Sequence, residues 1–214
     1  MSDPLSTFIG QSHIIRQLQP EIDACVQFNE PFPHLLLHGP PGLGKTYLVD
    51  AISKKLKART CTITGTQIRQ TKNFDWRSVF IQLWKDTRPF YQPHGPLVNP
   101  NHLPQWLLVV EESEAVSVQS WEILHEPLQP DANCVRWLSI MDPVYKTTSR
   151  QWVPAFTLIM TTNYYSTMLQ KAEAVVSRCA HILEFDFYTN KELTEILLQY
   201  SDEAGCSTDT AAAV

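Results

Sequence analysis

The sequence lacks the features that would take it out of the ordinary globular class. Charged residues make up only 18% of its 214 positions, beside 43% hydrophobic ones. That balance excludes a disordered chain and allows a sizeable core. No apolar run approaches the roughly 20 residues needed to cross a bilayer, so a helical membrane anchor is not expected. The first residues, Met1 to Thr7, lack the basic-then-apolar pattern of a secretory signal. None of the five cysteines, Cys25, Cys61, Cys134, Cys179 and Cys206, falls in a CxxC pair, which argues against a zinc site. An odd count without a signal peptide points to reduced thiols. An excess of positive charge is also missing: the net charge is -5 and the pI about 5.8. A protein that holds nucleic acid by bulk charge is usually basic, so any DNA contact has to come from a local patch, another domain or a partner subunit. The expectation is a soluble intracellular protein, cytoplasmic or, in a eukaryote, nuclear, with no membrane partner. No internal repeat is visible, and the length allows one large domain or two small ones.

Short apolar runs alternate with helical patterns. Ile14, Ile15, Leu18, Ile22 and Val26 have helical spacing, and the stretch from Asn29 to Pro33 breaks it. Leu35-Leu36-Leu37 reads as a buried parallel strand ended by a glycine-rich loop. Leu48, Val49, Ile52 and Leu56 share one helical face. Cys61 to Ile63, Leu107 to Val110, Phe156 to Met160 and Ile182 to Phe185 read as further strands. Trp76 to Trp84 and Val118 to Leu128 read as helices, the second interrupted by Pro127. The stretch from Thr87 to Gln105 holds five prolines and reads as an irregular insertion. Residues 131–154 fit either a β-hairpin or a long loop. Thr189-Asn190-Lys191-Glu192 has the form of a capping box opening a last helix that ends near Gly205. Strands alternating with helices predict a three-layer α/β domain with a five-stranded, mostly parallel sheet.

Gly39-Pro40-Pro41-Gly42-Leu43-Gly44-Lys45-Thr46 fills the spacing G-x-x-x-x-G-K-[ST]. Glycines let such a loop turn its amide N–H groups onto phosphate oxygens, and the following helix adds its positive end. Lys45 is expected to reach the β- and γ-phosphates and Thr46 to ligate Mg²⁺. Chance would produce the pattern in a chain of this length roughly once in a hundred. Here it also lies between an apolar strand and an amphipathic helix, as the chemistry requires.

Trp106-Leu107-Leu108-Val109-Val110-Glu111-Glu112 ends a strand in two acids. Strand ends often carry solvated carboxylates, but at this distance after a phosphate loop the acids take roles. Glu111 is expected to hold the metal through water, and Glu112 to polarise the attacking water. The usual first residue is Asp. The extra methylene of Glu111 predicts slow hydrolysis or dependence on a neighbouring subunit. Thr161-Thr162-Asn163 ends another strand, and Asn163 is expected to hydrogen-bond the γ-phosphate or the attacking water; the plainer reading is a turn residue. Arg178, in Ser177-Arg178-Cys179, suits a guanidinium aimed at a neighbouring subunit's nucleotide, against the alternatives of a surface arginine or an internal salt bridge. Cys179 reads as a buried thiol. Trp84, Phe90, Tyr91 and Trp106 fit either core packing or a stacking surface for a partner or single strand.

Together and in this order, the motifs from Phe8 to Gly205 resemble AAA+ ATPases. The chain is similar to clamp-loader small subunits of the replication factor C type at Phe8-Ile9-Gly10-Gln11, Pro33-His34-Leu35-Leu36-Leu37, Thr162-Asn163-Tyr164 and Ser177-Arg178-Cys179-Ala180. It is similar to the RuvB branch-migration motor at Gly39 to Thr46, Phe156-Thr157-Leu158-Ile159, Phe187-Tyr188-Thr189 and Thr64-Gly65-Thr66-Gln67-Ile68. Glu111-Glu112 with Thr161-Thr162-Asn163 also resembles superfamily 3 viral helicases, against which the Phe-Ile-Gly-Gln start and the Ser-Arg-Cys triplet count.

The resemblance implies ATP and Mg²⁺ as ligands, Phe8 and Ile9 bordering the adenine, and a homo- or hetero-oligomeric ring or arc that meets DNA through the assembly. It implies clamp loading or branch migration. The alternative is an ATP-gated scaffold that hydrolyses little. The expected organisation is a nucleotide-binding core over 1–187, the start of a helical lid over 188–205 and a disordered tail over 206–214. No complete lid bundle, collar or winged-helix DNA domain is evident, so other residues or subunits are expected to supply them.

Overall fold

The computed structural model describes residues 4–28, 30–72, 74–87, 105–130, 136–141 and 147–203. Most of the insertion between Thr87 and Gln105, Phe90 and Tyr91 included, lies outside them, as does the tail expected to be disordered.

Helix α1 (Ser12–Phe28) buries Ile14, Leu18, Ile22 and Cys25 on one face. Strand β1 (Leu35–His38) follows and runs into the glycine loop. Helix α2 (Lys45–Leu56) leaves that loop with Leu48, Val49 and Ile52 inward. Strand β2 (Arg59–Thr64) leads directly into a short helix, α3 (Gly65–Gln70), whose N-terminus carries a complete capping box between Thr64 and Gln67. Then come α4 (Trp76–Thr87), β3 (Trp106–Glu111), a 3₁₀ turn over Ser113–Ala115 and α5 (Val118–Leu124). Strands β4 (Arg136–Met141) and β5 (Thr148–Val153) form an antiparallel pair. Strand β6 (Thr157–Thr162), helix α6 (Tyr165–Val176), strand β7 (His181–Glu184) and helix α7 (Asn190–Glu203) complete the chain.

Five strands make one sheet in the order β2-β3-β6-β1-β7, every neighbouring pair parallel. Period-two alternation sends side chains to opposite faces. Leu36, Leu108, Val110, Leu158 and Met160 join one core cluster with Trp76, Phe80, Trp121 and Met168. Leu35, Leu37, Leu107, Val109 and Ile159 join the other with Ile14, Leu18, Leu48 and Ile52. Both faces are covered, so β1 and β6 read as unbroken apolar runs. Each fully buried leucine of β1 contributes about 2 kcal/mol of burial free energy, which favours an interior place in the sheet, between β6 and β7.

The expected three-layer α/β fold and five-stranded sheet are present, with local differences. Within the stretch 131–154, β4 and β5 pair antiparallel, as the hairpin alternative requires. Helix α5 ends at Leu124 and continues only as turns to Leu128. Helices α3 and α6 were not expected. Trp106 is buried in the core with the Arg59 guanidinium over its ring, so it is not part of an exposed stacking surface.

The Phe8-Ile9-Gly10-Gln11 start has a physical role in this fold. Gln11 is buried and donates through Nε2 to the Asp186 carbonyl at 2.6 Å. Its Oε1 accepts from the Asp186 N–H at 3.0 Å. This two-point clasp ties the N-terminal segment to the end of β7, beside the glycine loop.

Candidate nucleotide-binding site

Because all five strands are parallel, their carboxyl ends share one edge, and the loops that leave it build a single cleft of about 340 Å³. The cleft is lined from the glycine loop by Gly42, Gly44, Lys45 and Thr46, from β3 by Glu111 and Glu112, and from β6 by Asn163. Residues spread over some 120 positions of sequence thus meet around one space.

Gly44 caps α2 with φ +87°, in the left-handed region that favours glycine, and no side chain caps the helix. The first-turn N–H groups of α2 are therefore available to an anion, and the helix dipole favours one there. The Lys45 ammonium donates to the Gly39 carbonyl at 2.6 Å, the Pro40 carbonyl at 2.8 Å and Asn163 Oδ1 at 3.1 Å. Desolvation lowers its pKa, opposed by the nearby Glu114 carboxylate. The loop thus folds back on its own lysine, which is held at the floor of the cleft beside Asn163.

Thr46 Oγ1 donates to Glu111 Oε1 at 2.8 Å. A hydroxyl and a carboxylate oxygen side by side form a hard donor pair suited to Mg²⁺, which keeps several waters and needs few protein ligands. Uncapped N–H groups, a buried ammonium and this oxygen pair fit a polyphosphate with its cation.

Glu112 is placed differently from its neighbour. Its backbone is left-handed, φ +49°, which costs a non-glycine residue about 1 kcal/mol or more. Its carboxylate accepts from Thr66 Oγ1 of α3 at 2.5 Å. Gly65 permits that approach, since a Cβ there would lie 2.2 Å from the Glu112 carbonyl oxygen. Sequence reasoning missed Thr66 as a site residue. The signal available was a Gly-Thr pair directly after β2, in a segment noted only for its resemblance. Glu114 was also missed. Its Oε1 faces the Asn163 N–H at 3.5 Å, and its Oε2 is buried without a hydrogen-bond partner among the described residues.

Beside this cleft lies a second of about 160 Å³, lined by Phe8, Ile9, Tyr47, Tyr188, Ile196 and Tyr200 among others. The Phe8 and Tyr47 rings are 5.6 Å apart. The Tyr188 hydroxyl donates to the Leu43 carbonyl at 2.9 Å, tying the entry to α7 to the loop. The Thr189–Glu192 capping box opens α7 as the sequence led one to expect.

Arg178 is not brought to the cleft. It sits beyond the end of α6, where Nη1 donates to the Ala174 carbonyl and Nη2 lies 2.6 Å from His125 Nε2. Cys179 beside it is half-buried, and desolvation raises its thiol pKa to about 12, so it stays protonated.

The family model for the Holliday junction DNA helicase RuvB P-loop domain matches residues 2–86. Over that segment the chain resembles a RuvB-type AAA+ P-loop domain. A Holliday junction branch migration complex subunit RuvB from Ehrlichia ruminantium is 26% identical over 193 residues, covering 90% of this chain and 50% of that protein. The corresponding subunit from Neorickettsia sennetsu is 25% identical over 210 residues, covering 98% and 55%. Two mutants of Thermotoga maritima RuvB superpose with TM-scores of 0.67 and 0.68 at 25% and 26% identity, covering 92% and 95% of this chain and 53% and 55% of theirs. The chain spans about half the length of the relatives it matches. No described helix is long and apolar enough to cross a membrane.

Proposed function

We propose that the chain is the ATPase core of a RuvB-like motor subunit, which hydrolyses ATP at a subunit interface of a ring or arc and uses the turnover to move or remodel branched DNA. The observation that carries this reading is the convergence of Lys45, Thr46, Glu111 and Asn163 on one cleft in a fold shared with RuvB. The named relatives favour branch migration over clamp loading.

The residues take the following roles. First-turn N–H groups of α2 and the Lys45 ammonium exchange their present surroundings for β- and γ-phosphate oxygens. Thr46 and Glu111 would hold Mg²⁺, Glu111 through water, and the cation would supply neutralising charge. Asn163 is near enough to Lys45 to orient the γ-phosphate or the attacking water. Glu112 takes the water's proton once released from Thr66. The water oxygen bonds to the γ-phosphorus as the bond to the bridging oxygen breaks, and ADP leaves with that electron pair. Phe8 and Ile9 border the base in the second cleft. Arg178 of one subunit stabilises the charge developing at its neighbour. Residues 188–205 begin a lid over the base.

A second reading, an ATP-gated scaffold with little turnover, is favoured by one observation: Glu112 is bonded to Thr66 on α3. Steady-state ATP hydrolysis with and without a four-way DNA junction separates the two. The motor reading expects junction-stimulated turnover that Glu112→Gln lowers by a hundredfold or more, on the order of losing one catalytic group, while nucleotide binding persists. It also expects Arg178→Ala, mixed with the parent protein, to suppress turnover beyond simple dilution. Binding without turnover under every condition selects the scaffold.

A further inference from the structure

The surroundings of Arg178 are unlike those of a structural arginine. No carboxylate pairs with it among the described residues. Of its five donors, Nη1 reaches the Ala174 carbonyl, Nη2 reaches His125 Nε2 at 2.6 Å, and Nε is buried without a partner. A guanidinium has no acceptor, so His125 Nε2 must be the acceptor and the ring proton must sit on Nδ1. Ala174 belongs to Arg178's own helical stretch. Among the described residues, His125 therefore makes the one side-chain hydrogen bond that sets the direction of the guanidinium.

His125 is itself held from two sides. It caps α5, its N–H bonding to the Glu122 carbonyl at 3.2 Å. The next residue, Glu126, accepts from Arg150 Nε at 3.0 Å, from Arg150 Nη2 at 2.6 Å and from the Ser139 N–H at 2.8 Å. The Pro127 carbonyl accepts from Arg136 Nη1 at 2.9 Å. Residues 125–127 are thus tied to both strands of the β4–β5 hairpin.

We propose that His125 is a positioning residue for Arg178. It accepts a hydrogen bond from the guanidinium and aims it outward, from a turn whose own position is fixed by the hairpin. Resting on the proposed role of Arg178 in a neighbour's site, the inference goes beyond that role by naming the group that orients it.

The test compares His125→Ala, His125→Gln and Arg178→Ala, alone and combined, in steady-state ATP hydrolysis by the assembled protein with a four-way junction. Arg178→Ala is expected to lower kcat by about a thousandfold, the usual size of an arginine-finger contribution. His125→Ala is expected to lower kcat about tenfold with KM within twofold, because an interaction used only in the transition state is weakened. His125→Gln, whose amide oxygen can replace Nε2 as acceptor, restores most of the loss. His125→Ala adds nothing on the Arg178→Ala background. A merely structural role predicts the reverse: no rescue by Gln, and losses that multiply. Imidazole ¹⁵N NMR supplies a readout independent of turnover, with Nε2 unprotonated in the parent protein and its signal shifted by Arg178→Ala. A protonated Nε2, or multiplying losses, overturns the proposal while leaving Arg178 in place. Unchanged turnover in Arg178→Ala overturns the motor reading and the positioning role together.

Discussion

The two ends of the central sheet carry similar polar residues and use them in opposite ways. At the amino ends of the strands, polar groups close the fold. His34 Nδ1 accepts from the Leu158 N–H at 2.9 Å, the His34 carbonyl accepts from the Ala180 N–H at 3.0 Å, and the Thr157 hydroxyl donates to the Phe32 carbonyl. At the carboxyl ends, three glycines of one loop and Glu112 take positive φ, and one oxygen of Glu114 is buried without a partner among the described residues. The amino end closes His34 and Thr157 onto backbone groups, although Gln105 Oε1 and Trp106 Nε1 there are buried without partners among the described residues. The carboxyl end adds backbone strain and amide groups open to the cleft, which a ligand can use. Substitutions at the two ends should therefore separate activity from stability.

The largest effect is expected at the carboxyl end. Lys45→Ala removes the ammonium on the cleft floor, and nucleotide affinity measured by fluorescence titration should fall by at least about a hundredfold, on the scale of losing one charged donor. The melting temperature should barely move. A large loss of stability would show that Lys45 holds the loop together, breaking the division between the ends.

At the amino end the expectation is the reverse. Burial, with Arg136 nearby, lowers the His34 pKa from 6.5 to about 4. As pH falls, the unfolded chain therefore takes up this proton first. The contribution of His34 is complete above about pH 6.5, is lost as pH falls towards about 4 and changes no further below that. The loss is at most about 3 kcal/mol, from about 1.4 kcal/mol per pKa unit. Chemical denaturation across that range should show it, and His34→Asn, which keeps an acceptor but does not titrate, should flatten this part of the profile. Identical profiles would remove His34 from the account.

A smaller effect is expected where α3 meets Glu112. Gly65→Ala must displace the Glu112 backbone, costing about 1–3 kcal/mol by overpacking. Turnover should suffer more than nucleotide binding, since Lys45 and Thr46 are untouched. The smallest effect is expected from Thr66→Val, which frees the Glu112 carboxylate at little cost to packing. Basal turnover should rise severalfold, within the range set by one hydrogen bond to a charged group. A fall instead would mean that Thr66 orients Glu112 productively.

Legibility in the sequence followed the same division. The glycine loop could be read because its chemistry is contiguous: turn, amides, lysine and hydroxyl lie within eight residues. The buried strands could be read because a parallel strand covered on both faces has to be apolar along its length. The short helix α3 could not, since brief helices are stabilised mainly by packing rather than by a long periodic pattern, and α6 could not, since a non-helical residue, Ala172, interrupts it. The different roles of the adjacent acids Glu111 and Glu112 could be proposed from sequence but not their partners: one meets Thr46 and the other Thr66, because the chain turns left-handed between strand and 3₁₀ turn. For Trp106 the sequence left core packing and a stacking surface open, and the structure makes it core, because β3 is an interior strand.

Local order along the chain determined a phosphate loop, five strands, an acid pair and a helix-opening cap, since each depends on residues a few positions apart. Tertiary structure alone decided which acid meets which hydroxyl, that His125 rather than a carboxylate takes the Arg178 guanidinium, and that Gln11 clasps Asp186 across 175 positions. Those pairings depend on sheet order and register, which bring distant segments within hydrogen-bonding distance and leave no trace in the spacing of residues along the chain.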